Sequence, residues 1–246
     1  MNPQSERLTG DGFIPPWVRH EHQARYDFAA RYVRGKAVVD CACGEGLSSE
    51  IFLRAGARSL TGFDLSEEAV AAARKRCAGN ATFSTTGGVT LPIADRSADL
   101  YVALETLEHI EEDRAFLREA ARVLKPDGVF ICSTPNRLVT NPGASISDRP
   151  WNRFHVREYD PSEFVDRLGG AFQRIEMFGQ NPRPQWSARA MESAGRLLSP
   201  QVAVTLGQLL KIHRLVLDRP GYHTVRTTMA SLEYEYLVAV CQEPKP

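Results

Sequence analysis

Four side chains that can bind a metal ion occur in two short segments of the chain. Glu105, Glu108 and His109 follow an apolar run, and His155 stands near the end of a long loop over residues 136–159. On a helical turn, positions i, i+3 and i+4 lie on one face, so the two carboxylates and the imidazole are expected to converge. Carboxylates this close repel each other unless a cation joins them. The pattern therefore predicts a divalent cation such as Mg²⁺ on these four residues.

The same residues have a second interpretation that requires no metal. Glu108 and His109 can cap or pack against a helix, as such a pair does in many proteins. An imidazole titrates near neutral pH, so His109 or His155 then serves as the general base. Both interpretations place the reacting end of a site at the same residues.

A glycine-containing turn follows the first apolar run, in the sequence VVDCACGEG over residues 38–46. Gly44 and Gly46 let the backbone turn sharply from a strand into a helix and approach a ligand closely. Such a turn alone also fits a nicotinamide or flavin enzyme, or a turn without a ligand. Asp64 ends the next apolar run, where an acid can accept hydrogen bonds from both hydroxyls of an adenosine ribose. Asp40 beside the glycines favours a ligand that carries an ammonium group over one that carries a pyrophosphate.

Short apolar runs alternate with segments of helical periodicity over most of the chain. This alternation predicts an α/β protein with a parallel sheet that is covered on both faces. The expected strands span residues 36–41, 59–64, 81–86, 98–104, 129–133, 172–178 and 234–242. The expected helices span residues 47–55, 114–124, 161–168 and 186–217, with one more that begins at Ser66.

Four stretches match class I S-adenosylmethionine-dependent methyltransferases in order and spacing: VVDCACGEG, GFDLS, LPIADRSADLYVALETLEH and VLKPDGVFICSTPN. The chain resembles that family over roughly residues 36–136. The resemblance implies a Rossmann-like fold with a seven-stranded, mostly parallel sheet and helices on both faces. It also implies that the last hairpin contains the one antiparallel strand, and that S-adenosyl-L-methionine is the cofactor.

The resemblance places four residues at the methionine end of that cofactor. Asp40, Gly44 and Gly46 are expected to line it at the turn after the first strand. Arg25, in an HxxRYxFA stretch on a helix before the core, is expected to pair with the cofactor's carboxylate. The alternative for Arg25 is a solvated surface arginine.

Four other residues are implied along the adenosine and the inner face of the cofactor. Asp64 and Leu65 are expected to contact the ribose and the adenine, and Leu104 the inner face. Many family members carry an acid in the third loop, where this chain has Gly87. We therefore expect the backbone at Gly87 to contact the adenine.

The reacting end resembles the metal site of small-RNA 3′-terminal ribose 2′-O-methyltransferases. In those enzymes an ExxEH motif and a later histidine hold magnesium, and the matching residues here are Glu105, Glu108, His109 and His155. Such an ion lowers the pKa of an acceptor hydroxyl. The segments TGDGFIP and HVREYDPSEF also resemble methyltransferases of sugar and polysaccharide biosynthesis, including the methylmannose-polysaccharide enzymes.

Composition and charge restrict the partners of this chain. With 246 residues, a formal net charge of zero and a pI near 7.0, it has no global positive field, so nucleic acid is a disfavoured partner. No apolar segment approaches the roughly 18 to 20 residues that span a bilayer. Residues 1–12 are polar, and a cytoplasmic protein with no membrane partner is expected. The five cysteines are odd in number and lie mostly in apolar runs, which predicts reduced, buried thiols.

One methyltransferase domain over residues 1–246 is expected. Its parts are a helical cap (1–35), a core (36–179), a helical insertion (180–228) and a last strand (229–246). The insertion is expected to form a lid over the acceptor or a contact in a homodimer. It contains Arg183, Arg189, His213, Arg214 and His223.

Three hypotheses about function follow. The first is a metal-assisted O-methyltransferase that acts on a hydroxyl of a sugar or oligosaccharide. In this case some aromatics near the site stack on sugar rings, although each can equally pack in the core: Trp151, Phe154, Tyr159 and Trp186. The second is a metal-free O- or N-methyltransferase of an aromatic or quinone-like small molecule. The third is a non-catalytic protein that only binds the cofactor.

Overall fold

The structure, a computed structural model, describes residues 16–77, 79, 81–185, 224–228 and 232–245. The helices are α1 (Pro16–Ala30), α2 (Leu47–Arg54), α3 (Glu67–Arg76), α4 (Asp113–Val123), α5 (Arg137–Thr140) and α6 (Pro161–Gly169). The strands are β1 (Ala37–Cys41), β2 (Ser59–Asp64), β3 (Ala81–Thr85), β4 (Ala98–Leu104), β5 (Leu124–Pro135), β6 (Phe172–Pro184), β7 (Arg226–Thr227) and β8 (Leu232–Pro244). A 3-10 turn, Leu107–His109, follows β4.

These strands form one sheet in the order β3-β2-β1-β4-β5-β8-β6-β7. Strands β1 to β5 are mutually parallel, which confirms the predicted core. β8 is antiparallel to both of its neighbours, β5 and β6, and β7 is antiparallel to β6. The carboxyl ends of the five parallel strands therefore meet at one edge of the sheet.

The expectation of seven strands with a single antiparallel one is wrong. β6 continues past residue 178 because its backbone stays paired with β8 as far as Pro184, opposite Leu232. β6 also pairs with residues 226–227, which adds an eighth strand and a second antiparallel one. Residues 180–184 are consequently strand, where the start of a helical insertion was expected.

Several sequence predictions fall outside the described residues. They include the helix over residues 186–217, with most of the expected lid or dimer segment, and the TGDGFIP stretch. The individual residues concerned are Trp186, Arg189, His213, Arg214 and His223.

Apolar residues of the central strands alternate between the two faces of the sheet. Val39 and Tyr101 belong to a buried cluster that includes residues of α4 and α6. Val38 and Leu100 belong to a second cluster, which includes residues of α1, α2 and α3. This alternation follows from the two-residue period of a strand, and it buries both faces. A ligand can therefore reach the strands only at their ends.

Two local predictions are confirmed. The Ser66 side chain accepts a hydrogen bond from the Ala69 N–H at 3.2 Å, and it starts α3, whose first turn carries Glu67 and Glu68. The five cysteines are buried and none of them forms a disulfide. None of the helices in the described ranges is long and apolar enough to cross a membrane.

Candidate active site

The turn after β1 contains three residues with positive φ angles: Ala42 at 60°, Gly44 at 53° and Gly46 at 80°. A Cβ atom on Gly46 would lie 3.1 Å from Ala73 in α3, so packing requires a glycine there. A Cβ atom on Gly44 would meet no atom within 4 Å. The close approach of backbone to ligand that the sequence predicts is therefore sterically available at Gly44.

Asp40 lies buried near the end of β1, with 3% of its surface exposed. The hydroxyls of Ser48 and Ser49, at the start of α2, donate hydrogen bonds of 2.7 and 2.6 Å to its Oδ2 atom. Burial raises the pKa of Asp40 to about 6, while the two hydroxyl donors act to lower it. The carboxyl group is thus fixed beside the glycine turn, and it ionises within the physiological range.

This raised pKa gives an expected dependence of stability on pH. Asp40 binds its proton more tightly in the folded protein than in the unfolded chain, where its pKa is near 3.8. Its ionisation therefore lowers the free energy of unfolding by up to about 3 kcal/mol above pH 6, and this cost disappears as the pH falls below 4. We expect Asp40→Asn to be more stable than the wild type at pH 8, with the difference falling by about half at pH 5. Urea unfolding of both proteins at the two pH values measures this, and an equal difference at both would contradict it.

Asp64, at the end of β2, faces the same turn. Its Oδ2 atom accepts a hydrogen bond from the Gly44 N–H at 3.0 Å, and Oδ1 accepts one from the Ser66 N–H at 2.9 Å. The next residue, Leu65, is 68% exposed, which is unusual for a large apolar side chain. A Cβ on Gly87 would lie 3.5 Å from Leu65, so the third loop passes beside it. Asp64 thus contacts the turn at Gly44, and its neighbour Leu65 lies beside the third loop at Gly87.

Arg25 is buried on α1, so the alternative of a solvated surface arginine is wrong. Its Nη1 donates a hydrogen bond to Gln180 on β6, its guanidinium lies 4.4 Å from the ring centre of Tyr236, and its Nε is 3.7 Å from Glu105. Within the described residues, Nε and Nη2 have no hydrogen-bond partner. Because Nε already faces the Glu105 carboxylate, the buried Nη2 is the donor left for a further anionic group. Gln180 is 155 positions away, so the sequence alone gave no signal for it.

Glu108, His109 and His155 converge beyond the carboxyl end of β4. Each offers one ligand atom, and the three atoms lie within 4.8 Å of one another. The two imidazole rings are 4.9 Å apart between centroids and nearly perpendicular, at 80°. Three of the four predicted metal ligands are thus close together. Leu104, another predicted site residue, ends β4 and is partly buried.

Glu105, the fourth predicted ligand, is not part of this group. The prediction that residues 105–109 form one helical turn is wrong, because only Leu107–His109 adopt a 3-10 turn and Glu105 has a φ of +50°. Its Oε1 accepts a hydrogen bond from Ser133 Oγ at 2.6 Å and lies near Arg25. These partners come from β5 and α1, and the local sequence pattern does not reveal them.

Glu108 is 1% exposed, and its Oε2 atom has no hydrogen-bond partner among the described residues. Burial raises the pKa of Glu108 well above its usual range, and the nearby negative charges of Glu105 and Glu158 add to the effect. The backbone oxygen of Glu108 accepts a hydrogen bond of 2.8 Å from the Val156 N–H, which ties the long loop to this turn. A buried, under-coordinated carboxylate of this kind is favourable only with a proton or a cation beside it.

The hydrogen bonds of the two histidines define which ring nitrogen carries the proton. Nδ1 of His109 lies 3.0 Å from the carbonyl oxygen of Phe154, which can only accept, so Nδ1 is the protonated nitrogen. Nδ1 of His155 lies 2.6 Å from Glu158 Oε1, and its Nε2 lies 2.8 Å from Asn152 Nδ2. Glu158 and Asn152 are not among the residues that the sequence pattern predicts for the site. Each of them lies three positions from His155, and this spacing is the one local feature that could have indicated a contact with its ring.

The aromatic residues near the group differ in accessibility. Trp151 and Phe154 are partly exposed on the loop that carries His155. Tyr159 is fully buried, and its hydroxyl donates a 2.6 Å hydrogen bond to Asp113. Stacking of Tyr159 on a sugar ring is therefore excluded, and its role is packing in the core.

Comparisons with known proteins agree with this geometry. The sequence model of the methyltransferase domain family matches residues 39–132 of this chain. A probable S-adenosylmethionine-dependent methyltransferase of Mycolicibacterium smegmatis is 34% identical over 180 residues, which cover 71% of this chain and 68% of that protein. A ubiquinone biosynthesis O-methyltransferase of Actinobacillus pleuropneumoniae is 34% identical over 43% of this chain and 48% of its own length. The solved structure of an S-adenosylmethionine-dependent methyltransferase of Thermotoga maritima matches with a TM-score of 0.60 at 15% identity, over 92% of this chain and 93% of that one.

The parallel sheet, the glycine turn and the acidic residue that ends β2 define a Rossmann-like methyltransferase. The similarity to the mycobacterial protein is extensive enough to assign a family. This chain belongs to the S-adenosylmethionine-dependent methyltransferases, and S-adenosylmethionine is the cofactor that membership implies.

Proposed function

We propose that this methyltransferase transfers a methyl group to a hydroxyl of a sugar or oligosaccharide, with a divalent cation held by Glu108, His109 and His155. The observation that carries the proposal is the convergence of one carboxylate and two imidazoles within 4.8 Å at the carboxyl edge of the sheet. This edge is where α/β proteins of this topology bind their ligands.

Bound at this edge, the cofactor would extend from Arg25 to Leu65. The buried, unpartnered Nη2 of Arg25 suits the carboxylate of its methionine portion. Asp64 would accept hydrogen bonds from the ribose hydroxyls, and exposed Leu65 would cover the adenine next to the Gly87 backbone. Gly44 has room for the cofactor because a Cβ there would point into empty space.

This placement predicts a selective effect at Gly44. A leucine side chain in place of Gly44 would fill the open space at its Cβ position, where the cofactor would lie. We expect it to weaken cofactor binding at least about tenfold, the equivalent of ~1.4 kcal/mol. Gly35→Leu is the matched control, since Gly35 also has a positive φ, of 72°, and no atom within 4 Å of its Cβ position, but lies at the opposite end of β1. Calorimetric titration with S-adenosylmethionine compares the two. Equal affinity of both variants for S-adenosylmethionine would show that the cofactor does not lie against Gly44.

The reaction is an in-line displacement that depends mainly on positioning. The cofactor supplies an electrophilic methyl group on a sulfonium, so the acceptor oxygen forms a C–O bond as the C–S bond breaks, and a neutral thioether leaves. The chain must hold the acceptor oxygen in line and remove its proton. With a cation on Nε2 of His155, that lone pair would be occupied and the proton would pass to solvent. Without a cation, His155, whose Nδ1 is held by Glu158, would receive the proton on Nε2 once the Asn152 amide moves away.

The donor set fits a divalent cation. Glu108 Oε2 is buried without a hydrogen-bond partner among the described residues, and a cation there would remove the cost of its charge. An ion at this position would lower the pKa of the acceptor hydroxyl. Two imidazoles with one carboxylate suit Mn²⁺ or a similar transition metal better than Mg²⁺, which prefers oxygen ligands.

A sugar acceptor is supported by the zero net charge and by the partly exposed rings of Trp151 and Phe154 beside the group. A mass-shift screen of neutral oligosaccharides with S-adenosylmethionine tests it directly. Addition of one methyl mass to a sugar supports the proposal, and its absence across sugars with methylation of a phenol would contradict it.

A second candidate is a metal-free O-methyltransferase of a quinol-like acceptor. The relative from Actinobacillus pleuropneumoniae, which is named for ubiquinone biosynthesis, favours it. Here the pair of His155 and Glu158 would act as the base on an acidic phenol without a cation. Dihydroxyphenols in the same screen, assayed with and without a chelator, separate the two candidates.

A further inference from the structure

We propose that Glu158 is a positioning residue, which fixes the ring of His155 so that Nε2 is the nitrogen offered to the site. This inference rests on the proposed function, in that His155 takes part in the reaction. Glu158 is not one of the three proposed ligands, Glu108, His109 and His155, and its role follows from its hydrogen bonds.

Glu158 is buried, with 2% of its surface exposed, and both of its carboxylate oxygens have partners. Oε1 lies 2.6 Å from His155 Nδ1, and Oε2 accepts hydrogen bonds from Thr140 Oγ1 and Asn141 Nδ2. A buried carboxylate is costly unless it is hydrogen-bonded. These four side chains therefore form a unit. Thr140, the last residue of α5, and Asn141, the next residue, hold the carboxylate, and the carboxylate holds the imidazole.

This arrangement selects one tautomer of His155. The carboxylate accepts the proton on Nδ1, so the lone pair lies on Nε2. The amide of Asn152, 2.8 Å from Nε2, donates to that lone pair. The opposite tautomer would place the lone pair of Nδ1 against the carboxylate. It would also place its Nε2–H against the N–H donors of Asn152. A carboxylate bonded to the remote nitrogen of a ligating histidine is a recurrent arrangement in metal sites.

The backbone adds a second restraint, which defines the position of the loop relative to the site. The Val156 and Arg157 N–H groups donate to the Glu108 carbonyl oxygen at 2.8 and 3.3 Å. The Trp151 N–H donates to Asn141 Oδ1 at 2.7 Å. These backbone contacts hold the loop on both sides of His155. The hydrogen bond to Glu158 then determines the rotation of the His155 ring.

The test measures the tautomer of His155 and metal binding, without recourse to activity. In ¹⁵N NMR of the histidine side chains, with His155 assigned from the spectrum of His155→Gln, the wild type should show His155 protonated on Nδ1. We expect Glu158→Gln to shift His155 toward a mixture of tautomers and to weaken Mn²⁺ binding by about 10- to 100-fold in calorimetry. Glu158→Asp, which keeps the charge, should restore the Nδ1–H form in part.

Glu163→Gln is the matched control, because Glu163 is a carboxylate of the same segment that binds Arg137 and caps α6. It should lower thermal stability and leave the His155 tautomer unchanged. An Nε2–H tautomer in the wild type, or an unchanged tautomer in Glu158→Gln, overturns the inference. If the tautomer depends on Glu158 while the wild type binds no Mn²⁺, the positioning role is upheld and the metal in the proposed function is removed. If Glu158→Gln does not fold, Glu158→Ala and Glu158→Asp are compared by the same spectra, and a tautomer shared by both overturns it.

Discussion

Replacing Glu108 with glutamine should lower the rate of methyl transfer by about two to four orders of magnitude, while the affinity for S-adenosylmethionine stays unchanged. Glutamine has nearly the same shape, so the 3-10 turn and the contact of the Glu108 backbone with Val156 are retained. What is lost is the carboxylate that would carry the negative charge opposite a cation bound beside the two imidazoles. Because the side chain is 1% exposed, water cannot replace that charge.

The measurement combines turnover of the best acceptor from the screen with calorimetric binding of the cofactor. Glu111→Gln is the control, since it removes the same charge from an exposed position just after the 3-10 turn. In the wild type, EDTA should abolish turnover, and added Mn²⁺ should restore it. Full activity in EDTA would remove the cation from the mechanism, and full activity of Glu108→Gln would remove Glu108 from the site.

Replacing Asp64 with alanine should weaken binding of S-adenosylmethionine by about 100-fold or more. Each hydrogen bond from a ribose hydroxyl to this carboxylate contributes about 1.5 to 3 kcal/mol, since the acceptor is charged. The same change removes the acceptor of the Gly44 and Ser66 N–H groups, so the shape of the glycine turn is also affected. Both effects lower the affinity, and calorimetry with the cofactor and with its thioether product measures their sum.

Asp99→Ala separates loss of binding from loss of stability. Asp99 lies near the start of β4, at the opposite end of the sheet. Its Oδ2 accepts a hydrogen bond from the Ala37 N–H at 2.8 Å, as Asp64 does from the Gly44 N–H. It also pairs with Arg58 and Lys125. We expect Asp99→Ala to lower the melting temperature at least as much as Asp64→Ala does, with unchanged cofactor affinity. Equal affinity of the two variants would contradict a role for Asp64 in binding.

The two acceptor hypotheses make opposite demands on the reacting end. A sugar hydroxyl has a high pKa, so its proton is removed only with help from a cation or a strong base. A phenol or quinol is more acidic, and the pair of His155 and Glu158 would suffice for it. The response to EDTA therefore reports on the class of acceptor as well as on the metal.

The fold was predictable from the sequence wherever local pattern determines it. Five apolar runs, with helices between most of them, predict the parallel core, and the glycines after β1 and Asp64 at the end of β2 predict the cofactor end. The number of strands was predicted incorrectly, because pairing of β6 with residues 226–227 joins segments that are far apart in the chain. Local propensity contains no information about that pairing.

Residue type and spacing were enough to single out the residues to which we assign the chemistry: Asp40, Asp64, Glu108, His109 and His155. The partners that each of them contacts became visible only in the folded protein. The tertiary structure turns Glu105 toward Ser133 and Arg25, and it places Glu158 against His155. The physical reason is that residue type and spacing act over a few positions, whereas a buried charge takes its partner from whichever element packs against it.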